Sequence, residues 1–225
     1  MEQAQATTRD PAPILIGDAV KTLLQLKTSL FSDHGESSRL TNRFVEHWRI
    51  ANPGGSVIVR DLALEPVPHL NAAGFQAFLA KPAERTAEQA RVVSYSDALI
   101  EELQLADEVV IGLPMYNFGV PSTLKAYIDH IARAGVTFRY TQTGPIGLLT
   151  GKKVHVFAAR GGRYVGTPLD TESGYVRDVL RFLGLTEVEF VYAEGLALGA
   201  TVKAQSLATA HAKIDGRASP VTAAA

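Results

Sequence analysis

Short runs of apolar residues alternate along this chain with longer stretches whose apolar residues recur at helical spacing. The apolar runs lack polar alternation and therefore predict buried strands, at residues 22–26, 56–60, 108–113, 154–159 and 188–192. The helical spacing predicts helices over residues 38–50, 86–105, 121–134, 174–183 and 201–214. Strands and helices that alternate in this way predict an α/β fold: a doubly wound, five-stranded parallel sheet in the order 2-1-3-4-5, with helices on both faces.

Ligands of this architecture lie beyond the carboxyl ends of the strands, where the strand order reverses between strands 1 and 3. The loops that follow strands 1, 3 and 4 are therefore the ones in which a binding site is expected.

The loop after strand 1 has hydroxyl side chains at both ends and a glycine between them. It begins near Ser29 and continues through Gly35, Glu36 and Ser37 into a helix. Backbone N–H groups and the positive end of the helix dipole attract a phosphate, and serine hydroxyls donate to it. The Glu36 carboxylate would have to point to solvent, leaving only its N–H for the ligand. The alternative is that Ser37 or Ser38 merely caps the helix, which serine often does.

The loop after strand 3 places three large side chains beside a glycine. Met115, Tyr116 and Phe118 are suited to be the walls of a site for a flat aromatic ligand, and Asn117 is suited to contact its polar edge. A packed turn without a ligand is the alternative.

The loop after strand 4 contains the pair Gly161 and Gly162 behind Ala159 and Arg160. Paired glycines let backbone N–H groups approach a ligand closely, and the arginine could offset negative charge that develops on it. Such turns are common, so the prediction depends on the position of this loop beside the other two.

Composition narrows the possible functions. The 225 residues carry a formal net charge of −1 with both signs interspersed, which argues against a nucleic-acid surface. There is no cysteine, and the six histidines show no ligand spacing, so neither thiol chemistry nor a metal site is predicted. No apolar stretch approaches the ~20 residues that span a bilayer, and the first residues make a poor signal peptide. We therefore expect a cytoplasmic protein with one domain over residues 21–215, a disordered tail over 1–20 and a frayed end over 216–225.

Several motifs resemble those of the bacterial FMN-dependent NADH-azoreductases and quinone reductases, over about residues 21–214. They include Pro-Met-Tyr-Asn-Phe at 114–118, Leu-Lys-Ala-Tyr at 124–127, Arg-Ala-Gly-Val-Thr-Phe at 133–138, Arg-Gly-Gly at 160–162 and Ala-Glu-Gly at 193–195. The block over 114–162 is the most specific. The family often has serine where Gly35 and Ala159 stand, so two hydroxyls near the cofactor are missing here.

The resemblance implies a flavodoxin-like fold with one FMN per subunit and NADH as electron donor. It implies that Ser29, Gly35, Glu36 and Ser37 hold the phosphate, and that the isoalloxazine is held by residues of the two later loops: Met115, Tyr116, Asn117, Phe118, Ala159, Arg160, Gly161 and Gly162.

It also implies a homodimer in which Tyr140 and Phe182 face the substrate, although dimer or core packing explains these two residues equally well. The implied activity is a ping-pong, two-electron reduction of quinones and azo compounds. The bound flavin supplies the chemistry, so no catalytic side chain is predicted.

Two other function classes stay open from the sequence. One is a flavodoxin-type electron carrier, which binds FMN without being an NADH dehydrogenase. Such carriers are usually strongly acidic, and the near-neutral charge of this chain counts against that class. The other is a flavin-free scaffold or interaction protein, which would purify without colour.

Overall fold

The computed structural model describes residues 20–218. The strands are β1 Thr22–Lys27, β2 Ser56–Asp61, β3 Glu108–Pro114, β4 Phe138–Thr141, β5 Gly144–Gly147, β6 Lys153–Ala159 and β7 Glu187–Ala193. The α-helices are α1 Glu36–Ala51, α2 Ala72–Leu79, α3 Ala87–Leu105, α4 Ser122–Ile131, α5 Thr171–Leu183 and α6 Ala200–Ala218. Residues 1–19 and 219–225, where most of the two predicted tails fall, lie outside the described residues.

The main sheet has five strands, all of which pair in parallel, in the order β2-β1-β3-β6-β7. The strands β6 and β7 are the fourth and fifth of the predicted sheet, so the predicted order is confirmed. Because β1, β3 and β6 are neighbours, the loops that follow them lie side by side at one edge of the sheet.

Successive residues of the central strands contribute to two separate apolar clusters. In β1, Leu23 belongs to a cluster with residues of α1 and α6, whereas Leu24 belongs to a cluster with residues of α3, α4 and α5. In β3, Val109 and Val110 divide between the clusters in the same way. Neighbouring side chains of a strand point to opposite faces, and here almost every position in either direction is apolar. This pattern explains why these strands read as continuous apolar runs in the sequence.

The predicted helices are present, and one of them has the predicted start signal. The Gln89 N–H donates to Thr86 Oγ1 over 3.2 Å, and the Thr86 N–H donates to Gln89 Oε1 over 3.0 Å, which completes a capping box at α3. The helix α4 is shorter than predicted and ends at Ile131, because Thr137 Oγ1 accepts from the Arg133 N–H over 2.9 Å and donates to the Ile131 carbonyl over 2.5 Å.

Three elements were not predicted from the sequence. They are α2, in which only Gly74 and Ala77 are fully buried, and the antiparallel hairpin of β4 and β5. The hairpin reaches α5 at Gly147, where a side-chain carbon would lie 2.0 Å from the Gly184 nitrogen. None of the helices in the described part of the chain is both long and apolar enough to cross a membrane.

Candidate functional site

The first loop leads from β1 into α1 and brings two buried hydroxyls to the start of that helix. The N-cap of α1 is Gly35, and the helix begins at Glu36. Ser37 and Ser38 are therefore inside the first turn, so the alternative that one of them is the helix cap is wrong. Both side chains are fully buried, and neither Oγ atom has a hydrogen-bond partner within residues 20–218.

A buried hydroxyl without a partner is unusual enough to need an explanation. The two hydroxyls lie beside the N-terminus of a 16-residue helix, whose first N–H groups are unbonded within the helix and attract anions. The donor set at this position therefore fits a phosphate group.

Gly35 gives its space to Ser29. A side-chain carbon added at Gly35 would lie 2.1 Å from Ser29 Oγ and 2.6 Å from Ser29 Cβ, so no other residue fits here while Ser29 keeps its place. The Ser29 hydroxyl accepts from the Phe31 N–H over 3.2 Å and lies 3.4 Å from the Tyr116 hydroxyl. The Ser29 side chain thus occupies the space that a side chain at position 35 would need.

The Glu36 side chain is neutralised by neighbouring cations. Its carboxylate lies 2.6 Å from Lys203 Nζ on α6 and 3.5 Å from an Arg39 guanidinium nitrogen, and the side chain is mostly buried. The expectation that it would point freely to solvent is therefore not what the structure has. The ion pair with Lys203 removes the repulsion that a lone carboxylate would exert on a bound phosphate.

The second loop makes a tight turn that joins the first. Tyr116 and Gly119 exchange both backbone hydrogen bonds, each 3.0 Å long. The two residues between them, Asn117 and Phe118, have φ values of 50° and 63°, in the left-handed region that costs a non-glycine residue energy. The Tyr116 hydroxyl accepts from the Leu30 N–H over 3.3 Å, which connects this turn to the first loop.

The side chains of the second loop differ in burial. Met115 and Tyr116 are half-buried, whereas Asn117 and Phe118 are exposed. The Phe118 ring meets the Tyr164 ring edge-on, with centroids 5.7 Å apart, so this loop and the third share an aromatic wall. Left-handed non-glycine residues persist only where the surroundings fix them, and they concentrate at ligand sites.

The third loop presents two unbonded backbone N–H groups. The carbonyls of its two glycines already accept hydrogen bonds. Gly161 O accepts from the Ala197 N–H over 3.0 Å, and Gly162 O accepts from the Gly195 N–H over 2.7 Å. The N–H groups of Gly161 and Gly162 donate to no acceptor in the described part of the chain. Ala159 joins this loop to the second, because its carbonyl accepts from the Met115 N–H over 3.3 Å.

The Arg160 side chain, in contrast, is enclosed in the protein. Its guanidinium has no exposed surface and lies within 3.3 Å of carboxylate oxygens of Asp170, Glu172 and Glu194. It also donates to Ser173 Oγ over 2.8 Å. A guanidinium occupied in this way is not free to offset charge on a ligand, which corrects the role suggested by the sequence. Arg160 stays in the candidate site as part of the loop backbone only.

One carboxyl of this cluster has an unusual proton affinity. Burial raises the pKa of Glu172 from 4.5 to about 8, against the opposing effect of the Arg160 charge. Its Oε1 atom has no hydrogen-bond partner in the described residues. Near neutral pH Glu172 is therefore protonated beside the Arg160 cation.

Tyr140 and Phe182 lie near one another, because both pack against Phe138. Tyr140, on β4, is 73% exposed and packs edge-on against Phe138 with centroids 5.5 Å apart. Phe182, on α5, is half-buried and packs against the other side of Phe138 at 4.2 Å. The structure thus brings these two residues to one aromatic group on the hairpin and leaves the Tyr140 ring open.

The sequence reasoning missed the residues that hold the loops, above all Thr171 and Glu194. The Thr171 hydroxyl donates to the Phe118 carbonyl, and Glu194 Oε1 accepts from the N–H groups of Tyr164 and Val165 over 2.8 and 3.0 Å. Glu194 lies in the Ala-Glu-Gly motif at 193–195, which was the one signal that could have identified it.

Comparisons with known proteins give a consistent result. Residues 21–218 match the family described as having a flavodoxin-like fold. Over 194 residues, 86% of this chain and 96% of the relative, the chain is 58% identical to an FMN-dependent NADH:quinone oxidoreductase of Cellvibrio japonicus. It is 50% identical over 192 residues, 85% of this chain and 97% of the relative, to a protein of the same name from Alcanivorax borkumensis.

Among solved structures, an FMN-dependent NADH-azoreductase of Bacillus anthracis in complex with FMN superposes with a TM-score of 0.79. The two sequences are 25% identical, and the match covers 89% of this chain and all of the other. An azoreductase of the same organism gives a TM-score of 0.81 at 28% identity, covering 88% of this chain and 99% of that one.

Proposed function

The chain belongs to the flavodoxin-like fold family, and from that membership we propose that it is an FMN-dependent NADH:quinone oxidoreductase that reduces quinones and azo compounds by two electrons. The observation that carries the proposal is the pair of buried, unpartnered hydroxyls of Ser37 and Ser38 at the start of α1. They lie on the one loop where a terminal phosphate is expected, beside two loops with unbonded N–H groups and left-handed residues.

The phosphate is assigned to the first loop. Ser37 and Ser29 donate from their hydroxyls, and Glu36 supplies a backbone N–H group at the positive end of α1. The Gly35 N–H donates to the Ser32 carbonyl over 3.2 Å, so Gly35 contributes to the site by leaving room for Ser29. The ion pair of Glu36 with Lys203 keeps the local charge compatible with an anion. A terminal phosphate favours FMN over FAD.

The isoalloxazine is assigned to the second and third loops. Met115, Tyr116 and Phe118 exclude water from it, and the Asn117 amide orients its polar edge. Ala159 and Arg160 belong to this site through the loop backbone, while the free N–H groups of Gly161 and Gly162 donate to the ligand. Bound FMN would accept a hydride from NADH and pass two electrons to the acceptor. NADH and the acceptor would bind beside the flavin in turn, which gives ping-pong kinetics.

The protein is further proposed to act as a homodimer. The proposal is supported by the Tyr140 ring, which is 73% exposed and lies beside Phe182, so that an aromatic surface is available to a second subunit. Light scattering of the purified protein should give twice the mass of the chain, and a fully active monomer would contradict the assignment.

The proposal includes two further properties, the arrangement of helices on the sheet and the location of the protein in the cell. A doubly wound sheet, with helices on both faces, is supported by the alternation of strand residues between the two apolar clusters. A cytoplasmic location is proposed because NADH is produced and reoxidised there, and fractionation of cells that express the protein would check it.

The test begins with the visible spectrum of the purified protein. We expect a yellow protein that releases FMN on denaturation, and FAD as the main released flavin would overturn the cofactor assignment. NADH added without oxygen should bleach the spectrum, and one equivalent of benzoquinone should restore it. Failure of NADH to bleach a yellow protein would favour the electron carrier, whereas a colourless protein that does not take up FMN would favour the scaffold.

A further inference from the structure

The start of α5 contacts the turn after β3. The Thr171 hydroxyl donates to the carbonyl of Phe118, the residue with the larger left-handed φ value in that turn. A left-handed non-glycine residue is maintained only when neighbouring contacts fix it. Thr171 provides such a contact, from a helix 53 residues further along the chain.

The same helical turn also holds the loop after β6. Asp170 Oδ1 lies 2.9 Å from an Arg160 guanidinium nitrogen, and Ser173 Oγ accepts from that nitrogen over 2.8 Å. Because the Arg160 side chain has no exposed surface, the backbone just before Gly161 is anchored to residues 170–173.

The far end of that loop is held by Glu194. One oxygen, Oε1, accepts from the N–H groups of Tyr164 and Val165 over 2.8 and 3.0 Å and lies 3.3 Å from an Arg160 nitrogen. The two glycines between Arg160 and Tyr164 are therefore fixed on both sides. Since Arg160 contacts Glu194 as well as Asp170, Glu172 and Ser173, which flank Thr171 in the chain, all these contacts form one connected group.

We propose that Thr171 and Glu194, connected through Arg160, are positioning residues that set the spacing between the turn at 116–119 and the loop at 160–165. These residues form a clamp: they do not touch the reacting atoms but hold in register the two walls between which the flat ring of the cofactor lies. The proposal rests on the proposed function, because those are the loops assigned to the isoalloxazine.

The first test removes one hydroxyl. Thr171→Val keeps the size of the side chain, Thr171→Ser keeps the donor, and Thr22→Val makes the same change at the opposite end of the sheet, where the hydroxyl bonds Ser56. The expected result for Thr171→Val is faster hydrogen exchange at residues 116–119 in the full chain as purified and FMN affinity weakened roughly tenfold. Thr171→Ser should restore both, and Thr22→Val should change neither.

Two further measurements distinguish a positioning role of Thr171 from a purely structural one. Thr171→Val should shift the visible bands of bound FMN and change kcat more than the KM for NADH, at an unchanged melting temperature. Wild-type exchange and wild-type FMN affinity in Thr171→Val would overturn the proposal, as would a loss of affinity that Thr171→Ser does not restore.

The second test asks whether the contacts act as one clamp. Glu194→Ala frees the N–H groups of Tyr164 and Val165, and combined with Thr171→Val it should weaken FMN binding by less than the product of the two single effects. Independent, multiplicative losses would mean that the two loops are held separately, which would overturn the clamp.

The design separates the two proposals. A wild-type protein that does not bind FMN would overturn the proposed function, whereas hydrogen exchange without FMN would still report whether Thr171 holds the turn. A wild-type protein that binds FMN and reacts with NADH, but whose Thr171→Val variant behaves like wild type, would overturn the clamp alone.

Discussion

The two ends of the parallel sheet are built from different residues. At the carboxyl ends of β1 and β3 the left-handed backbone positions include Ser32, Asn117 and Phe118, which are the three non-glycine residues with positive φ among residues 20–218. In the connections that lead into β2 and β6, the left-handed positions are Gly54 and Gly151. Glycine adopts this conformation without steric cost, whereas the other residues require support from their surroundings.

The polar groups at the two ends of the sheet also differ in what they contact. At the amino end they fasten elements together: Asp107 accepts from the Thr22 N–H over 2.7 Å, and Lys152 Nζ donates to the Gln104 and Ala106 carbonyls that end α3. At the carboxyl end, the hydroxyls of Ser37 and Ser38 are buried without a partner. These groups differ in function: those at the amino end join elements of the fold, whereas Ser37 and Ser38 at the carboxyl end are available to a ligand.

The largest expected effect is a pH dependence of the unfolding free energy, which arises from Glu172 at the carboxyl end of the sheet. The pKa of Glu172 is raised by burial to about 8, so the folded protein holds a proton that the unfolded chain loses near its ordinary value of 4.5. The stabilisation that this proton brings is complete below pH 4.5 and is lost as the pH rises toward 8. Relative to Glu172→Gln, the unfolding free energy of wild type should fall by about 1.4 kcal/mol per pH unit across that window.

Denaturant titrations at several pH values measure this difference, and a gap that is constant from pH 5 to 8 would contradict it. A matched control lies at the amino end, where a hydrogen bond from His155 lowers the pKa of Glu108. The stabilisation from Glu108 is present above its ordinary pKa and is lost as the pH falls through the lowered one. Glu108→Gln should therefore converge with wild type in acid.

The next largest effect is expected at Ser37. If its hydroxyl donates to a phosphate, Ser37→Ala loses a charge-assisted hydrogen bond of about 1.5–3 kcal/mol, a roughly 10- to 150-fold weaker affinity for FMN. The FMN-free variant should be as stable as wild type or more so, because the removed hydroxyl has no partner there. Fluorescence titration and thermal unfolding measure the two quantities, and unchanged affinity would remove Ser37 from the site.

At Gly35 the expected effect is a loss of stability, with a free energy of similar size. Gly35→Ser brings a side chain within 2.1 Å of Ser29 Oγ, in a region with no free space, and overpacking of this kind costs about 1–3 kcal/mol. The double variant Ser29→Gly with Gly35→Ser exchanges the two side chains and should recover most of the lost unfolding free energy. Additive destabilisation in the double variant would show that the two positions do not share one space.

The smallest effect compares glycine at the two ends. Asn117→Gly should raise the unfolding free energy by less than about 1 kcal/mol, because it relieves the left-handed strain, yet it should weaken FMN retention. Gly151→Ala should lower the unfolding free energy by about 1 kcal/mol, since φ is +75° there, and leave FMN binding unchanged. Weaker FMN binding in Gly151→Ala would break the distinction between the two ends.

The strands of the main sheet were predictable because buried parallel strands have apolar residues in both directions. The hairpin was not, since Gly144, Pro145 and Gly147 are poor strand residues and the close contact of Gly147 with Gly184 comes from tertiary structure. In the short helix α2 only Gln76 is polar, so the sequence has no alternation of apolar and polar faces from which a helix could be predicted.

The location of the three loops could be predicted from the strand order, but the position of Ser37 within the first turn of α1 could not. Whether a serine caps a helix or lies in its first turn depends on a shift of one or two residues in the helix start, which propensity does not resolve. The burial of Arg160 could not be predicted from the sequence either, because its carboxylate partners lie in two later segments of the chain and contact it only in the folded protein.

The order in which Arg160 acquires its partners also has a consequence for synthesis of the protein. Asp170 and Glu172 leave the ribosome about ten residues after Arg160, but Glu194 follows 34 residues after it, beyond β7. The guanidinium can be enclosed only when this last carboxylate has emerged, whereas β1, β2 and β3 are already complete at Pro114. The nascent chain is therefore expected to form the loop after β1 first, and the third loop becomes fixed only when the final strand has joined the sheet.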